Sequence, residues 1–303
     1  NEAVEFIKRI RGEKTADLVN AILRNILRNL SNIHYPTAEE DSIKYLSVVY
    51  SHPVWMVKRW VARYGFVETE KLLIANNEKP ELTLRVNRLK TDVPAMLTYL
   101  DQHQVPYTKS PYLDSFVRVK HLADISQSEA FRLGLFSVQD ESAGLPCLLL
   151  SPQPGERIID LCAAPGGKTT FIGEMLKNTG EIVSVDKYES KLHLIRESCS
   201  RLGIRNVKFV ADDGASYHGQ IADRVLVDAP CTGLGVLSKK PDIKWKREPE
   251  DIVGLTELQL QLLENAARLV KPGGAIVYST CTIEPEENFE LVKRFIDLHP
   301  SFV

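Results

Sequence analysis

The second half of the chain is dominated by five short apolar runs that alternate with helical patterns. From Pro154 onward the runs are RIIDL, EIVSVD, VKFVA, RVLVD and AIVYST. Helical patterns lie among them at about 168–177, 189–202, 255–270 and 286–298. Strands that alternate with helices indicate βαβ units and a parallel sheet. The sequence therefore predicts an α/β fold with a doubly wound, mainly parallel sheet.

The first half of the chain contains helical patterns and then a smaller mixed module. The stretch TADLVNAILRNILRNL predicts an amphipathic helix that packs in a bundle. In VWMVKRWVARYG, we expect Trp60, Val61 and Tyr64 to be buried and Gly65 to end the helix. Beyond the polar turn at 76–80, a strand LTLRVN, a helix across 92–103 and a strand near SFVRVK predict a small α/β module.

Composition and charge exclude several classes of protein. The formal net charge of −2 gives no global basic field, so a polyanion would have to bind through local patches. The five cysteines are odd in number and form no C-x-x-C pair, which indicates neither disulfides nor a metal site. No apolar run approaches the ~20 residues of a transmembrane helix, and the start lacks the pattern of a signal peptide. We expect a cytoplasmic monomer without a metal or a membrane partner.

The chemistry of a doubly wound sheet is expected at the carboxyl ends of its strands. The first run leads into the glycine turn DLCAAPGGKTT, which fits neither a P-loop nor the G-x-G-x-x-G pattern. Asp186 ends the second run, the position from which a carboxylate accepts hydrogen bonds from a ribose. Asp160, Asp213 and Asp228 lie at or beside the ends of three other runs. These carboxylates favour a cationic ligand that contains adenosine and no pyrophosphate.

Two cysteines follow strand ends that should be neighbours in this fold. Cys231 lies in VDAPCTG after the fourth run, and Cys281 lies in YSTCT after the fifth. Both can face one cavity, and either is a candidate for a nucleophilic thiolate. Cys147 and Cys199 fall within predicted helices, where packing is the expected role.

Four longer motifs occur together and in one order: DLCAAPGGKT, DAPCTGLG, KKPDIKW and YSTCTIEPEEN. They resemble the Nol/Nop/Sun family of S-adenosylmethionine-dependent RNA cytosine-5 methyltransferases, and the chain looks most like its bacterial ribosomal RNA branch. The resemblance implies a Rossmann-like methyltransferase domain over 136–303 that lacks its last strands. It also implies a helical linker with a small α/β, RNA-recognition-like subdomain over 51–135. The segment 1–50 is similar to the C-terminal part of an all-α NusB-like domain.

The resemblance implies a reaction and assigns the two cysteines to it. A methyl group from S-adenosylmethionine would be transferred to carbon 5 of a cytosine in RNA, with small-subunit (16S) ribosomal RNA as the expected substrate. Carbon 5 is a weak nucleophile, so a thiolate must first add to carbon 6. A Pro-Cys pair, as in DNA cytosine-5 methyltransferases, would favour Cys231. The resembled RNA family uses a Thr-Cys pair, which implies Cys281 as nucleophile and Cys231 as the residue that assists product release.

The resemblance and the basic segments together define the remaining candidate residues. Methyl-donor binding is implied for Cys162, Ala163, Ala164, Pro165, Gly166, Gly167, Lys168, Asp186 (ribose), Asp213 (near the adenine) and Asp228 (near the methionine end). RNA contacts are predicted for Lys239, Lys240, Lys244, Trp245, Lys246 and Arg247, and in the small module for Arg85, Arg88, Arg118 and Lys120. Two other functions remain open: a methyltransferase that acts on a different substrate, and a non-catalytic RNA-binding assembly factor.

Overall fold

The computed structural model describes residues 2–120 and 127–302. The chain divides into two compact units, Asn1–Asn77 and Glu78–Val303. The predicted middle segment, 51–135, therefore contributes to both units. Its residues 121–126 lie outside the described residues.

The first unit is helical. Its elements are α1 (Glu2–Arg11), α2 (Glu13–Arg28), a 3₁₀ helix (Leu30–Asn32), α3 (Ser42–Val49) and α4 (Val54–Asn77). α1 contacts α2, and α3 packs on α4. The predicted boundary after residue 50 separates α3 from the helix on which it packs.

One expectation for this unit is wrong in detail. In α2, Ala16 is the one buried residue, and the apolar residues of the predicted amphipathic face, among them Leu18, Ile22 and Leu27, are exposed. The cause is that α1, its main contact, is a ten-residue helix without a buried residue of its own. In α4, Gly65 has a non-helical backbone (φ 77°, ψ 173°) and separates two helical segments at a kink, so the first segment ends there as predicted and a second one follows directly.

The predicted burial in α4 is correct for one of three residues. Trp60 is completely buried, Val61 is half-buried, and Tyr64 is exposed. Buried side chains of α4 are spaced over its whole length, from Met56 to Asn76. The kink changes which side of the helix faces the core, so a single helical period does not describe both halves.

The second unit begins with a four-stranded antiparallel sheet in the order β2-β3-β1-β4. Its elements are β1 (Leu82–Val86), α5 (Val93–Gln102), β2 (Tyr107–Lys109), β3 (Phe116–Val119), α6 (Glu129–Arg132) and β4 (Phe136–Val138). Leu84 and Val86 point to one face of β1 and pack with Met96 and Leu100 of α5. Because β4 pairs with β1, this small sheet extends to Val138, past the boundary predicted at residue 135.

The rest of the second unit is a five-stranded parallel sheet with helices. Its elements are α7 (Glu141–Leu150), β5 (Arg157–Asp160), α8 (Gly167–Met175), β6 (Glu181–Asp186), α9 (Glu189–Leu202), β7 (Val207–Ala211), β8 (Ala222–Asp228), α10 (Ile243–Lys246), α11 (Pro249–Leu269), β9 (Val270–Ser279), a 3₁₀ helix (Pro285–Glu287) and α12 (Phe289–Leu298). The strand order is β7-β6-β5-β8-β9, and every pairing is parallel. The predicted doubly wound, Rossmann-like architecture is confirmed.

The strand order decides where the site lies. Strands β5, β6 and β7 progress toward one edge of the sheet, and β8 and β9 progress toward the other. The order reverses between β5 and β8, so a crevice forms at their carboxyl ends. Helices on both faces bury the strands, which explains the nearly continuous runs of isoleucine and valine. Asp160 and Asp228, which end β5 and β8, therefore flank the point where a ligand is expected.

We predict that Leu226→Ala destabilises the protein strongly. Leu226 lies in β8 with no exposed surface and packs between the sheet and its covering helices, so truncation creates a cavity worth about 2–5 kcal/mol of unfolding free energy. Leu149→Ala is the matched control, because the Leu149 side chain is 74% exposed. Urea denaturation followed by circular dichroism measures both variants. Equal midpoints for the two would contradict the assigned core.

Candidate active site

The turn between β5 and α8 lies across the ends of two strands. It starts at Cys162 and leads into α8 at Gly167. The backbone N–H of Ala163 donates to the carbonyl of Val185 at 3.0 Å, which ties the turn to β6. Gly166 has a φ of 101°, and a Cβ at that position would lie 2.9 Å from Cγ2 of Ile195. A side chain at Gly166 would therefore distort the turn.

Two strand-end carboxylates border this turn. Asp186 is largely buried and accepts hydrogen bonds from the N–H of Ala164 at 3.2 Å and of Tyr188 at 3.1 Å. Asp213 accepts from the ammonium of Lys187 at 2.9 Å and from a backbone N–H. The Lys187 hydrogen bond lowers the pKa of Asp213. Asp186 therefore touches the turn directly, and both carboxylates lie at strand ends where a polar ligand can bind.

A third carboxylate, Asp160, lies beneath the turn and is completely buried. Its Oδ2 accepts from the hydroxyl of Thr169 at 2.7 Å. Its Oδ1 has no hydrogen-bond partner among the described residues. Burial raises the pKa of Asp160 to about 7. An unpaired buried oxygen is costly in an interior, so its presence at the strand end suits a site that binds a polar group.

Lys168 connects the turn to the opposite side of the crevice. Its Nζ lies 2.5 Å from Oδ2 of Asp228 at the end of β8. The other oxygen of Asp228 accepts from the hydroxyl of Ser279, at the end of β9, at 2.8 Å. Three strand ends are thus linked by one chain of charge-assisted hydrogen bonds. Sequence reasoning missed Ser279, although its position directly before Thr280-Cys281 marks it as a strand-end residue.

The thiols of Cys231 and Cys281 lie side by side, next to the hydrogen bonds that link Lys168, Asp228 and Ser279. The two Sγ atoms are 3.2 Å apart, and the N–H of Cys281 donates to Sγ of Cys231 at 3.3 Å. The N–H of Gly235 donates to the Cys281 carbonyl at 3.0 Å, so the turn after Cys231 packs against the backbone of Cys281. Cys281 is exposed and Cys231 is half-buried. A substrate in the crevice would therefore meet Cys281 first.

The pKa values of the two thiols are shifted in opposite directions. A hydrogen bond from the thiol of Cys231 is the main cause that lowers the pKa of Cys281 to about 7, and the charges of Lys240 and Lys168 act in the same direction. The same hydrogen bond, together with burial, raises the pKa of Cys231. Burial also raises the pKa of Cys147, Cys199 and Cys162. Of the five cysteines, Cys281 is the one whose pKa is lowered, as a nucleophilic thiolate requires.

A buried carboxylate holds the two cysteine-bearing turns together. Glu287 has no exposed surface. It accepts from the N–H of Thr232 at 2.9 Å, from the Thr232 hydroxyl, and from the amide of Gln259 at 2.9 Å. The Thr232 hydroxyl also lies 2.8 Å from the hydroxyl of Thr282. Since Thr232 and Thr282 directly follow Cys231 and Cys281, this network fixes the spacing of the two thiols.

Asn288, the next residue, organises the turn that contains Cys281. Its Oδ1 accepts from the hydroxyl of Thr280 at 2.6 Å, and its Nδ2 donates to the carbonyl of Thr282 at 3.1 Å. The sequence EEN in YSTCTIEPEEN thus supplies two side chains that shape the turn. From the sequence alone this motif indicates a family resemblance, and it does not reveal the hydrogen bonds of Glu287 and Asn288.

The basic segment 239–247 is only partly available to a polyanion. Lys240 and Trp245 are exposed, and Trp245 keeps 66% of its surface accessible. Lys239 pairs with Asp140, and Lys246 pairs with Asp242. Arg247 is half-buried and donates to the carbonyls of Cys231 and Thr232, both at 3.1 Å. The segment therefore presents an aromatic residue and a lysine, while Arg247 supports the Cys231 turn.

Three predicted RNA contacts are corrected by the structure. Lys244 is buried in the short helix α10, which places its charge away from solvent. Arg85 is completely buried and pairs with Glu174 at 2.8 Å. Arg118 is half-buried and donates three hydrogen bonds to the carboxylate of Glu141. Lys244 and Arg85 are thus buried and Arg118 is engaged by Glu141, whereas Arg88 and Lys120 are exposed.

The described residues contain neither a candidate metal centre nor a helix that could span a membrane. Within 2–120 and 127–302, no group of three or more His, Cys, Asp and Glu side chains could hold a metal ion. No helix in these two stretches is both long enough and apolar enough to cross a membrane.

Comparison of the sequence with known families gives two matches. The profile described as 16S rRNA methyltransferase RsmB/F matches residues 147–302, and the RsmF/B-like, ferredoxin-like domain matches residues 52–126. A curated relative, the probable ribosomal RNA small subunit methyltransferase B of Bacillus subtilis (strain 168), is 39% identical over 307 residues. That alignment covers 100% of this chain and 68% of the relative.

Solved structures have the same architecture. The crystal structure of PH0851 superposes with a TM-score of 0.89 at 32% identity, covering 98% of this chain and 67% of the other. NSun6 from Pyrococcus horikoshii with SFG gives a TM-score of 0.74 at 25% identity, covering 80% of this chain and 86% of the other. The strand-end carboxylates and the two thiols agree with these matches. Because the family model and the Bacillus relative both match, the chain belongs to the 16S rRNA methyltransferase RsmB/F family.

Proposed function

We propose that this protein transfers a methyl group from S-adenosylmethionine to carbon 5 of a cytosine in RNA, through a covalent adduct between Cys281 and carbon 6. The observation that carries the proposal is the thiol pair Cys231–Cys281, 3.2 Å apart, beside the Lys168–Asp228 pair. Such a pair gives one sulfur to attack and a second to assist release. A methyltransferase acting on another substrate would leave this pair without a task.

The residues around the crevice fit S-adenosylmethionine. As the resemblance implies, we assign Asp186 to the ribose, Asp213 to the adenine and Asp228 to the methionine end of the donor. The turn Cys162–Lys168 would contribute backbone groups, and beneath it the Oδ1 of Asp160 is a polar atom without a hydrogen-bond partner among the described residues. When bound, S-adenosylmethionine supplies a methyl group on a cationic sulfur, and the strand-end carboxylates would favour that positive charge. NSun6, solved with SFG, an analogue of this donor, is a relative of the same fold.

Cys281 performs the first covalent step. Its thiolate adds to carbon 6 of the cytosine, and the electron pair of the 5,6 double bond makes carbon 5 nucleophilic. The lowered pKa of Cys281, about 7, provides a large thiolate fraction at neutral pH. Carbon 5 then takes the methyl group, the bond between that methyl group and the donor sulfur breaks, and S-adenosylhomocysteine is left. A base removes the carbon 5 proton, the electron pair of that C–H bond re-forms the 5,6 double bond, and the bond between carbon 6 and Sγ breaks with its electron pair returning to sulfur. This regenerates the Cys281 thiolate and releases 5-methylcytosine.

Cys231 assists this last stage. It remains a neutral thiol because its pKa is raised, so it can donate a hydrogen bond to the sulfur of Cys281 when that thiolate leaves. The donated hydrogen bond stabilises the leaving thiolate. Without this hydrogen bond the Cys281 thiolate leaves more slowly, so we expect a Cys231 variant to retain the adduct.

The proposed substrate is small-subunit ribosomal RNA, which the family name and the Bacillus relative both support. Lys240, Trp245 and Arg88 are exposed and remain candidates for contacts with phosphates and an unstacked base. A target cytosine within paired RNA must be unstacked to reach Cys281. A ribosomal substrate also supports a cytoplasmic location. We also propose, from the sequence resemblance, that residues 1–50 are part of a NusB-like domain.

Substitution of the two cysteines tests the proposed roles. Purified protein, transcribed 16S rRNA and S-adenosylmethionine with a labelled methyl group are the components. We expect Cys281→Ala to lose all transfer, because no thiolate adds to carbon 6. We expect Cys231→Ala to accumulate an RNA–protein adduct that survives a denaturing gel. Cys199→Ala, which alters a buried cysteine of α9, is the control and should retain transfer.

Other outcomes would contradict the assignment in different ways. Transfer by Cys281→Ala combined with loss in Cys231→Ala, without an adduct, would exchange the roles. Full binding of RNA without transfer by the unsubstituted protein would favour an assembly factor. Transfer to a different acceptor would indicate a methyltransferase with another substrate.

The acidity of Cys281 gives an independent prediction. Alkylation of Cys281 by iodoacetamide should rise with pH around a midpoint near 7, since the thiolate forms above the lowered pKa. In Cys231→Ala the midpoint should move upward, toward the ~8.5 of a free thiol, because the donated hydrogen bond is lost. Mass spectrometry of the peptide that contains Cys281 measures the rate at each pH. A midpoint that is the same in both proteins would contradict the role of Cys231.

A further inference from the structure

Arg85 on the small sheet reaches the proposed methyl-donor turn. It lies in β1, opposite Phe116 of β3 and Ser137 of β4, and its side chain is completely buried. Nη1 donates to the carbonyl of Gly167 at 2.6 Å and to the side chain of Gln139. The guanidinium thus bonds directly to a backbone atom of the turn.

The remaining bonds of Arg85 run along one side of α8. Nη2 donates to the hydroxyl of Thr170 at 3.0 Å and to Glu174 at 2.8 Å, and the guanidinium lies 4.8 Å from the ring centre of Phe171. Gly167, Thr170, Phe171 and Glu174 are spaced as one helical stripe. The Thr170 hydroxyl in turn donates to the carbonyl of Gly166 at 2.9 Å. Arg85 therefore fixes the glycine turn both directly and through Thr170.

Stability alone is a weak reason for this arrangement. Burial of an ion pair is costly, and an apolar pair of similar volume is often equally stable. Here a cation also lies at the N-terminal turn of α8, where the helix dipole disfavours positive charge. In addition, Nε of Arg85 is buried with no hydrogen-bond partner among the described residues. The rigid, planar guanidinium hydrogen-bonds to several acceptors at once and therefore holds them at fixed positions relative to one another.

We propose that Arg85 is a positioning residue: through Gly167 and Thr170, the small sheet sets the conformation of the methyl-donor turn and thereby the affinity for the donor. The inference rests on the proposed function, since it takes this turn as the donor site. It assigns a donor-site role to a residue of the module that sequence resemblance links to RNA. Arg85 need not touch the donor itself.

A second ion pair in the same unit provides a matched control. Arg118 of β3 bonds to Glu141 at the start of α7, with Nη2 at 2.5 Å from the carboxylate. This pair also connects the small sheet to a helix of the large sheet. Its bonds to Glu141 do not involve the donor turn. Loss of either ion pair removes one connection between the small sheet and a helix of the large sheet. Only the loss of the Arg85–Glu174 pair should weaken donor binding.

The test compares two double variants, Arg85→Met/Glu174→Met and Arg118→Met/Glu141→Met, so that no unpaired charge remains buried. Calorimetry measures the Kd of S-adenosylhomocysteine, and kinetics with saturating 16S rRNA measure KM for the methyl donor and kcat. We expect the Arg85 variant to bind about 2- to 30-fold more weakly, with a raised donor KM and a nearly unchanged kcat at saturating donor. The control should bind like the unsubstituted protein.

A folded Arg85 variant with unchanged donor affinity would overturn the inference, as would an equal loss in the control. Arg85→Lys is the second variant if the double variant fails to fold, because it retains the charge but cannot bridge Gly167, Thr170 and Glu174 together. It should also weaken donor binding, and an unchanged Kd would overturn the inference. If the unsubstituted protein binds no S-adenosylhomocysteine, the proposed function itself fails, and the inference fails with it.

Discussion

The carboxylate of Glu287 is completely buried, and the geometry of the two thiols depends on it. Burial of a carboxylate is tolerated only where strong hydrogen bonds replace water. Glu287 receives them from Thr232 and from Gln259, so the turn after β8, helix α11 and the turn after β9 all meet at one group. Because Cys231 precedes Thr232, the position of its thiol beside Cys281 is set before any substrate binds. Such preorganisation is what a covalent mechanism needs.

The proposed donor side and the thiol side of the crevice share residues and are therefore not independent. Lys168 belongs to the glycine turn and pairs with Asp228, and Asp228 accepts from Ser279 next to Thr280-Cys281. The charge of Lys168 also contributes to the lowered pKa of Cys281. A change in the turn would thus alter the surroundings of Cys281, the proposed nucleophile. On the far side of the turn, Arg85 extends the same connected structure to the small sheet.

Much of the fold was predictable because each signal was local. Apolar runs of strand length, alternating with helical periods, predicted the parallel sheet, and the carboxyl ends of the strands indicated where polar residues would converge. Cys231 and Cys281 could be paired on this basis, since they follow neighbouring strands 50 residues apart. The choice between them needed the resemblance, because position at a strand end does not distinguish a nucleophile from a helper.

Prediction from the sequence failed for residues whose burial depends on segments far away along the chain. Arg85 alternates with Leu84 and Val86 along β1, so it had to lie on the face opposite the α5 core. The sequence does not reveal that α8 covers that face. Lys244 was misassigned for a similar reason, and Glu287 was overlooked because a glutamate in EPEEN has the local features of a solvated residue. Its partners Thr232 and Gln259 lie 55 and 28 residues away along the chain.

We propose that Cys281 forms the covalent bond to the cytosine. The decisive substrate is 16S rRNA transcribed with 5-fluorocytidine, because fluorine at carbon 5 cannot leave as a proton and the adduct persists after methyl transfer. The unsubstituted protein is incubated with this RNA and S-adenosylmethionine, digested with nuclease and trypsin, and analysed by mass spectrometry. We expect the modified peptide to contain Cys281. A methylated 5-fluorocytidine adduct on the peptide that contains Cys231 would instead make Cys231 the nucleophile.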